Sequence, residues 1–325
     1  MNSLIEKLVL QCTKATAITS TEVIQSLWSG YGEILRVYLD GADVASVIVK
    51  HISPPNQANH PRGWNTDIGH QRKLKSYDVE MNWYREFNSY SSDKNKFPTC
   101  LYVDQGAEQS ILILEDLKDS GFPNLGHGND MDQIEACIKW LANFHSQFVN
   151  IKTDHKLWPI GTYWHLDTRP DELIALEDQA LKDAAWAIDE TLNNAKYQTL
   201  VHGDAKVANF CFSTNYTQVS AVDFQYIGNG IGVKDLAYFI GSCLNDNDSK
   251  LLESKLLELY FTELKSALIS KDFPLNQIEE LTQEWSELYY FAWADFHRFL
   301  KGWSPGHWKI NGYSETIIKK VLAQL

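Results

Sequence analysis

Val201-His202-Gly203-Asp204-Ala205-Lys206-Val207-Ala208-Asn209-Phe210 is the stretch on which the fold of this chain turns. It has the form H-x-D-x-x-x-x-N and lies between two short apolar runs, Thr199 to Val201 and Phe210 to Phe212. A third run, Val219 to Val222, ends at Asp223. Asn209 immediately precedes one expected strand and Asp223 immediately follows its expected partner. Antiparallel pairing of the two makes their open ends neighbours, so the Asn209 amide oxygen and the Asp223 carboxylate should converge. Two hard oxygen ligands at one point suit Mg²⁺, which takes carboxylate, amide oxygen, water and substrate phosphate. Asp204, on the same loop, is then placed to accept a proton from an attacking hydroxyl. This is the equipment of phosphoryl transfer from ATP, where catalysis is mostly positioning and charge neutralisation.

The remaining parts of such a site are expected upstream. Glu33 to Leu39 and Val44 to Val49 are apolar, β-branched runs around the turn pair Asp40-Gly41, which predicts a β-hairpin ending at Lys50. Lys50 is the candidate ligand of nucleotide phosphates, and Glu80, on an expected helix over Ser76 to Tyr90, is the candidate that orients it, preferred over Glu86. Ser29-Gly30-Tyr31-Gly32 precedes the first strand, and the backbone N–H groups at Gly30 and Gly32 are candidates to meet phosphate oxygens. Cys100 to Val103 and Ile111 to Leu114 flank Gly106 and predict a second hairpin. Its exit, Leu114-Glu115-Asp116, is the expected seat of an adenine ring. Between the hairpin and the helix, His51 to Lys75 contains Pro54-Pro55 and Pro61-Arg62-Gly63 and has no helical or strand period, so it reads as a surface insertion. Its Arg62, Arg72, Lys73 and Lys75 outnumber Asp67, and its place after Lys50 predicts a lid at the mouth of the site.

Beyond Glu115 the pattern becomes helical. Ile134, Ile138, Leu141, His145 and Phe148 recur at three or four residues, and Glu172 to Leu192, Ser249 to Leu268 and Glu284 to Leu300 are further expected helices. On the last of these, Trp285, Tyr289, Trp293 and Phe296 form an aromatic stripe, read first as core and second as a surface for the acceptor. The expected architecture is α+β and two-lobed: residues 1–115 as a small β-rich nucleotide-binding lobe with one main helix, and residues 116–325 as a larger, mainly helical catalytic and acceptor-binding lobe.

Composition narrows the function. With 325 residues, 44% of them hydrophobic, the chain can bury a real core. A formal charge of −13 repels a phosphate backbone, which argues against nucleic acid as a partner. The five cysteines are far apart with no C-x-x-C pair, which points to a reducing, cytoplasmic location and no structural zinc. No run approaches the roughly 18 apolar residues of a membrane span, and Glu6 and Lys7 interrupt the first apolar stretch.

These residues resemble the superfamily of aminoglycoside phosphotransferases and choline kinases, which has a protein-kinase-like fold, and within it the ecdysteroid kinase-like branch. Val201 to Phe210 is similar to its catalytic loop and Ala221-Val222-Asp223-Phe224-Gln225 to its metal-binding turn. Glu80 to Tyr84, Leu114 to Leu117, Leu141 to His145 and Asp235-Leu236-Ala237 are similar to further blocks in the same order. The resemblance implies Asp204 as catalytic base, Asn209 and Asp223 as magnesium ligands, Lys50 as phosphate ligand and Asp235 as a structural brace. Lys206, two after Asp204, is a candidate to steady the transferring phosphoryl group.

The departures carry information about the acceptor. The turn at Gly30 is not G-x-G-x-x-G, Gly203 stands where protein kinases carry Arg, and no Ala-Pro-Glu follows Asp223. Without that arginine an activation-loop phosphate has no receiver, so a small-molecule alcohol is expected as acceptor rather than a protein. A cationic amino alcohol and an apolar polyhydroxylated compound are the two chemistries considered. The competing readings are an idle kinase-shaped binding protein and, behind it, a protein kinase.

Overall fold

The structure, a computed structural model, describes residues 2–27, 30–54, 67–106, 108–126, 128, 130–151 and 156–325. The first part of the chain forms α1 (Ser3–Thr13) and strands β1 (Ala17–Ser26), β2 (Gly32–Asp40) and β3 (Ser46–Ile52), then α2 (Asp67–Glu86), β4 (Cys100–Gln105) and β5 (Ser110–Glu115). The strands make one antiparallel sheet in the order β1-β2-β3-β5-β4. Alternation gives this sheet two apolar faces. Leu35, Val37, Val47, Val49, Ile111 and Ile113 pack under Ile5 and Val9 of α1. The other face carries Ile34, Lys50 and Leu112 in register, so Lys50 points away from α1 and toward α2.

The sequence reading missed α1 and β1. An i, i+4 pair of apolar residues is enough to seat α1, and β1, an edge strand exposed along nearly its whole length, shows no two-residue burial period. The insertion is also corrected. β3 runs on to Ile52 and α2 begins at Asp67, so the part from Asp67 to Lys75, with Arg72, Lys73 and Lys75, is helix, and of the expected lid, residues 55–66, Arg62 among them, lie outside the described residues.

The rest is mainly helical: α3 (Met131–Gln147), α4 (Pro170–Ala175), α5 (Gln179–Asp183), α6 (Ala185–Asn193), α7 (Val233–Cys243), α8 (Asp246–Ile269), α9 (Leu275–Trp303) and α10 (Gly312–Leu322). Short strands are set among them: β6 (Asn124–Leu125), β7 (Thr199–Val201), β8 (Phe210–Phe212), β9 (Val219–Ala221) and β10 (Gly228–Gly230). The single helix expected over Glu172 to Leu192 is three short ones. The Asp178 side chain caps a new start by accepting from Leu181 N–H, which ends the run after Leu176. The expected periodic residues of α3 are all buried, from Ile134 to Phe148. β8 and β9 pair antiparallel with Phe210 opposite Ala221, while β7 pairs with β10 instead.

Trp83 of α2 stacks on Phe224 with ring centroids 4.8 Å apart and lies 5.2 Å from Phe97. Such pairs add about 0.5–1.5 kcal/mol beyond the area they bury. They also tie the helix that carries Glu80 to the turn that carries Asp223. The architecture is therefore two-lobed α+β of the protein-kinase-like type, a β-rich sheet part joined to a larger helical part.

Candidate active site

The loop from Val201 to Asn209 is held from below. Asp235, in the first turn of α7, accepts from His202 N–H at 2.6 Å and from Gly203 N–H at 2.9 Å, and it pairs with His145 of α3 at 3.1 Å. Gly203 has φ +80, and a Cβ there would strike the Tyr226 carbonyl oxygen, so the arginine of protein kinases has no room at this position. The fully buried His202 ring bonds the Val222 carbonyl at 3.0 Å, which links this loop to the turn bearing Asp223.

Asp204 is 7% exposed and closely bonded. Lys206 Nζ donates to its Oδ2 at 2.8 Å, Asn209 Nδ2 donates to the same oxygen at 3.0 Å, and Tyr238 of α7 donates its hydroxyl to Oδ1 at 2.9 Å. A carboxylate offers about four lone-pair sites, so one direction at Oδ1 remains open. Asn209 Nδ2 also bonds the Asp204 carbonyl at 2.8 Å, which leaves the amide oxygen as the part of Asn209 not committed to this loop.

Asp223 adopts φ +69, the left-handed region that Asp tolerates better than most residues. Its Oδ1 accepts from Gln225 Nε2 at 2.6 Å and lies 3.7 Å from Lys50 Nζ. Burial raises the carboxyl pKa, but the ammonium groups of Lys50, Lys73 and Lys206 outweigh it, so Asp223 is held below its ordinary range and stays ionised. Lys50 pairs with Glu80 at 2.6 Å. Burial works against its charge, yet Glu80 and Asp223 together push its pKa up. Glu86 pairs instead with Lys156.

Asp204, Asn209, Asp223, Lys206, Lys50 and Glu80 all line one cavity of about 1450 Å³, as do Leu114, Glu115 and Asp116. The carboxylates of the last two are engaged elsewhere: Glu115 with Lys96 at 2.8 Å and Asp116 with Arg36 at 2.5 Å and Ser46 at 2.7 Å. Gly30 and Gly32 do not line it. A Cβ at Gly32, which has φ +132, would strike the His51 carbonyl oxygen, so this glycine serves the close approach of β2 and β3.

Of the aromatic stripe, Trp285, Tyr289 and Trp293 are buried in the helical core, and only Phe296 reaches the cavity, joined there by Phe299 and Trp303. Sequence reasoning missed Tyr238 and Lys309 as lining residues and the bond from Lys73 through Gln225 to Asp223, whereas Arg72 and Lys73, expected at the mouth, do line the cavity, from a helix rather than a loop. The donor pair of Asn209 and Asp223 fits Mg²⁺. It offers hard oxygens, one of them kept ionised, and among the described residues no group of three His, Cys, Asp or Glu side chains forms a cage of its own. Among the described residues no helix is long and apolar enough to cross a membrane.

The fold is of the protein-kinase-like class. Within it, the chain belongs to the ecdysteroid kinase-like family, whose model matches residues 33–157 and 161–272. No curated protein matches the sequence. Among solved structures, the chain is similar to an amicoumacin kinase in complex with AMP-PNP, Ca²⁺ and Ami, with TM-score 0.52, 13% identity and 100% and 95% of the two chains covered. It is similar to choline kinase LicA from Streptococcus pneumoniae, with TM-score 0.53, 12% identity and 99% and 100% covered. It is also similar to an ethanolamine kinase from Plasmodium vivax, with TM-score 0.52, 14% identity and 97% and 86% covered. At these identities the likeness is one of fold.

Proposed function

We propose that this protein is an ATP- and magnesium-dependent kinase that transfers the γ-phosphoryl group to a hydroxyl of a small molecule. The observation that carries the reading is Asp204: buried at the floor of the cavity, fixed by three donors, and left with one open direction. In this reading Asp204 takes the acceptor hydroxyl proton as the new oxygen–phosphorus bond forms. The bond from the γ-phosphorus to the bridging oxygen breaks, and ADP leaves. Lys50, oriented by Glu80, grips the nucleotide phosphates, and Lys206 steadies the group in transfer. Asn209 and Asp223 would hold magnesium, which when bound neutralises charge on the β- and γ-phosphates.

Residues 1–115 would bind the nucleotide and residues 116–325 the acceptor, with the base against Leu114 and the main chain at Glu115 and Asp116, whose own carboxylates are occupied by Lys96 and Arg36. The test is an ADP-release assay with magnesium over amino alcohols, aminoglycosides, sugars and sterol-like alcohols. Asp204→Asn should lower turnover by about 10²–10⁴-fold while nucleotide still binds. Equal turnover in that variant, or no ADP release with any class of alcohol, would remove the reading.

A further inference from the structure

On the acceptor side of Asp204, Lys309 and Arg72 have no carboxylate within ion-pair distance among the described residues, and neither belongs to the chain that holds Asp223. Lys309, beyond the end of α9, holds its ammonium over the rings of Tyr238, Phe296 and Trp308, at 4.8, 5.4 and 5.8 Å from their centroids. Tyr238 is the residue that donates to Asp204, so Lys309 stands one ring away from the carboxylate. Arg72, on the first half of α2, donates to the Thr168 carbonyl at 2.6 Å and faces the like charge of Arg169. Burial is the main force against the charge of each, and it draws Lys309 down to about 8.

Of the other cations of this wall, Lys206 meets Asp204 at 2.8 Å and Arg169 meets Glu172 at 3.0 Å, whereas Lys73 bonds the neutral amide of Gln225 at 2.9 Å and is given over to the chain that ends on Asp223. Among the carboxylates that line the cavity, Asp171 alone has no cation within ion-pair distance among the described residues, and its field acts on Arg72. Open cations outnumber the one open carboxylate and leave the acceptor wall positive in a chain of net charge −13. The ring cluster suited to a quaternary or protonated amine is already filled by an ammonium of the protein itself. A cationic acceptor would meet repulsion there. An anion would relieve the desolvated charge of Lys309.

We infer that the acceptor is an apolar alcohol that bears an acid group: Lys309 and, reaching from α2 across to the helical part that binds the acceptor, Arg72 take the anion, and Phe296, Phe299 and Trp303 take the apolar body. The word acceptor rests on the kinase reading, but the preference for an anion can be read by binding alone.

The test uses the full chain and three probes sharing one hydroxylated apolar body, below their micellar range at neutral pH: cholate, its methyl ester, and its dimethylaminoethyl amide. Binding is followed by tryptophan fluorescence. Cholate should bind at least ~10-fold more tightly than the ester, and the cationic amide should bind most weakly. Lys309→Met and Arg72→Gln should each remove most of that margin without changing ester binding, and Lys309→Arg should keep it. Ester or amide binding as tight as cholate, or no binding of any probe, overturns the inference. ADP release is measured in the same titrations. Acid-selective binding with no Asp204-dependent release would keep the pocket and remove the kinase, whereas release with the ester or amide but not the acid would keep the kinase and remove the acid.

Discussion

On the sheet side of the cavity Lys50 faces Glu80 at 2.6 Å, Arg36 faces Asp116 at 2.5 Å, and Lys96 faces Glu115 at 2.8 Å. On the α9 side Lys309 faces aromatic rings and Arg72 faces a carbonyl. Both walls are rich in charge, but these three sheet-side cations each meet a carboxylate of their own wall, and Lys309 and Arg72 do not. A wall that is electrically closed offers fixed geometry and backbone groups, which suits a ligand that brings its own counter-ion, as a nucleotide with magnesium does. A wall left open states in its unmatched charge what it expects to receive. The difference between the walls can be tested by mutation and by pH.

The largest effect is expected at Lys50. Lys50→Met leaves Glu80 buried near Asp223 without its cation, and breaking a buried pair from one side costs about 3–5 kcal/mol. Adding Glu80→Gln should restore most of the lost unfolding free energy in urea, because no buried charge is then stranded. Nucleotide affinity, measured by titration calorimetry with magnesium, should stay low in both variants. Recovery of nucleotide binding in the double variant would reduce the Lys50–Glu80 pair to a structural feature and weaken the contrast between the walls.

Tyr238 lies between Asp204 and Lys309. Tyr238→Phe removes the hydroxyl that donates to Asp204 Oδ1 and keeps the ring over which Lys309 lies. A hydrogen bond to a charged group is worth about 1.5–3 kcal/mol, so kcat should fall about 10- to 100-fold. The KM for ATP should be unchanged, since no nucleotide-side contact is touched. A change in KM for ATP with kcat intact would mean that Tyr238 acts through the fold rather than on Asp204.

How much of this could be read from the chain depends on how near in sequence the partners are. Asp204, Asn209 and Asp223 share one loop and one hairpin, and the pairing of β8 with β9 follows from their apolar runs, so their place on one cavity was legible. Lys50 with Glu80 was legible because a strand end followed by a helix leaves few candidates. Tyr238 and Lys309 reach the cavity from α7 and from beyond α9, and no local period marks a side chain whose partner is set by helix packing. Arg72 was placed in a loop because the prolines before it hide the start of α2. The aromatic stripe was legible for the opposite reason: a helical period reports burial, so it was read first as core, and Trp285, Tyr289 and Trp293 are core, while nothing in the period singles out Phe296 as the ring that reaches the cavity.

The smallest expected effect separates the walls by pH. Burial raises the Glu115 carboxyl, but the bonds from Lys96, Ser120 and Thr99 overcome it and bring the pKa from 4.5 to about 2. Between those values the unfolded chain binds more protons than the folded one, so the stability Glu115 contributes is complete above the upper value and drains away as pH falls toward the lower. Lys309 works on the alkaline side. Burial takes its pKa from 10.5 to about 8, so in that window the unfolded chain again holds the extra proton, and stability rises as pH rises. Urea midpoints should therefore show Glu115→Gln less stable than the parent at neutral pH, with the gap closing on acidification. Lys309→Met should be as stable as the parent or more so at neutral pH, and should lose the parent's gain on moving from about pH 8 to 10. A Lys309→Met variant markedly less stable than the parent at neutral pH would mean that this ammonium is matched within the folded protein, and the acceptor wall would then be as closed as the sheet.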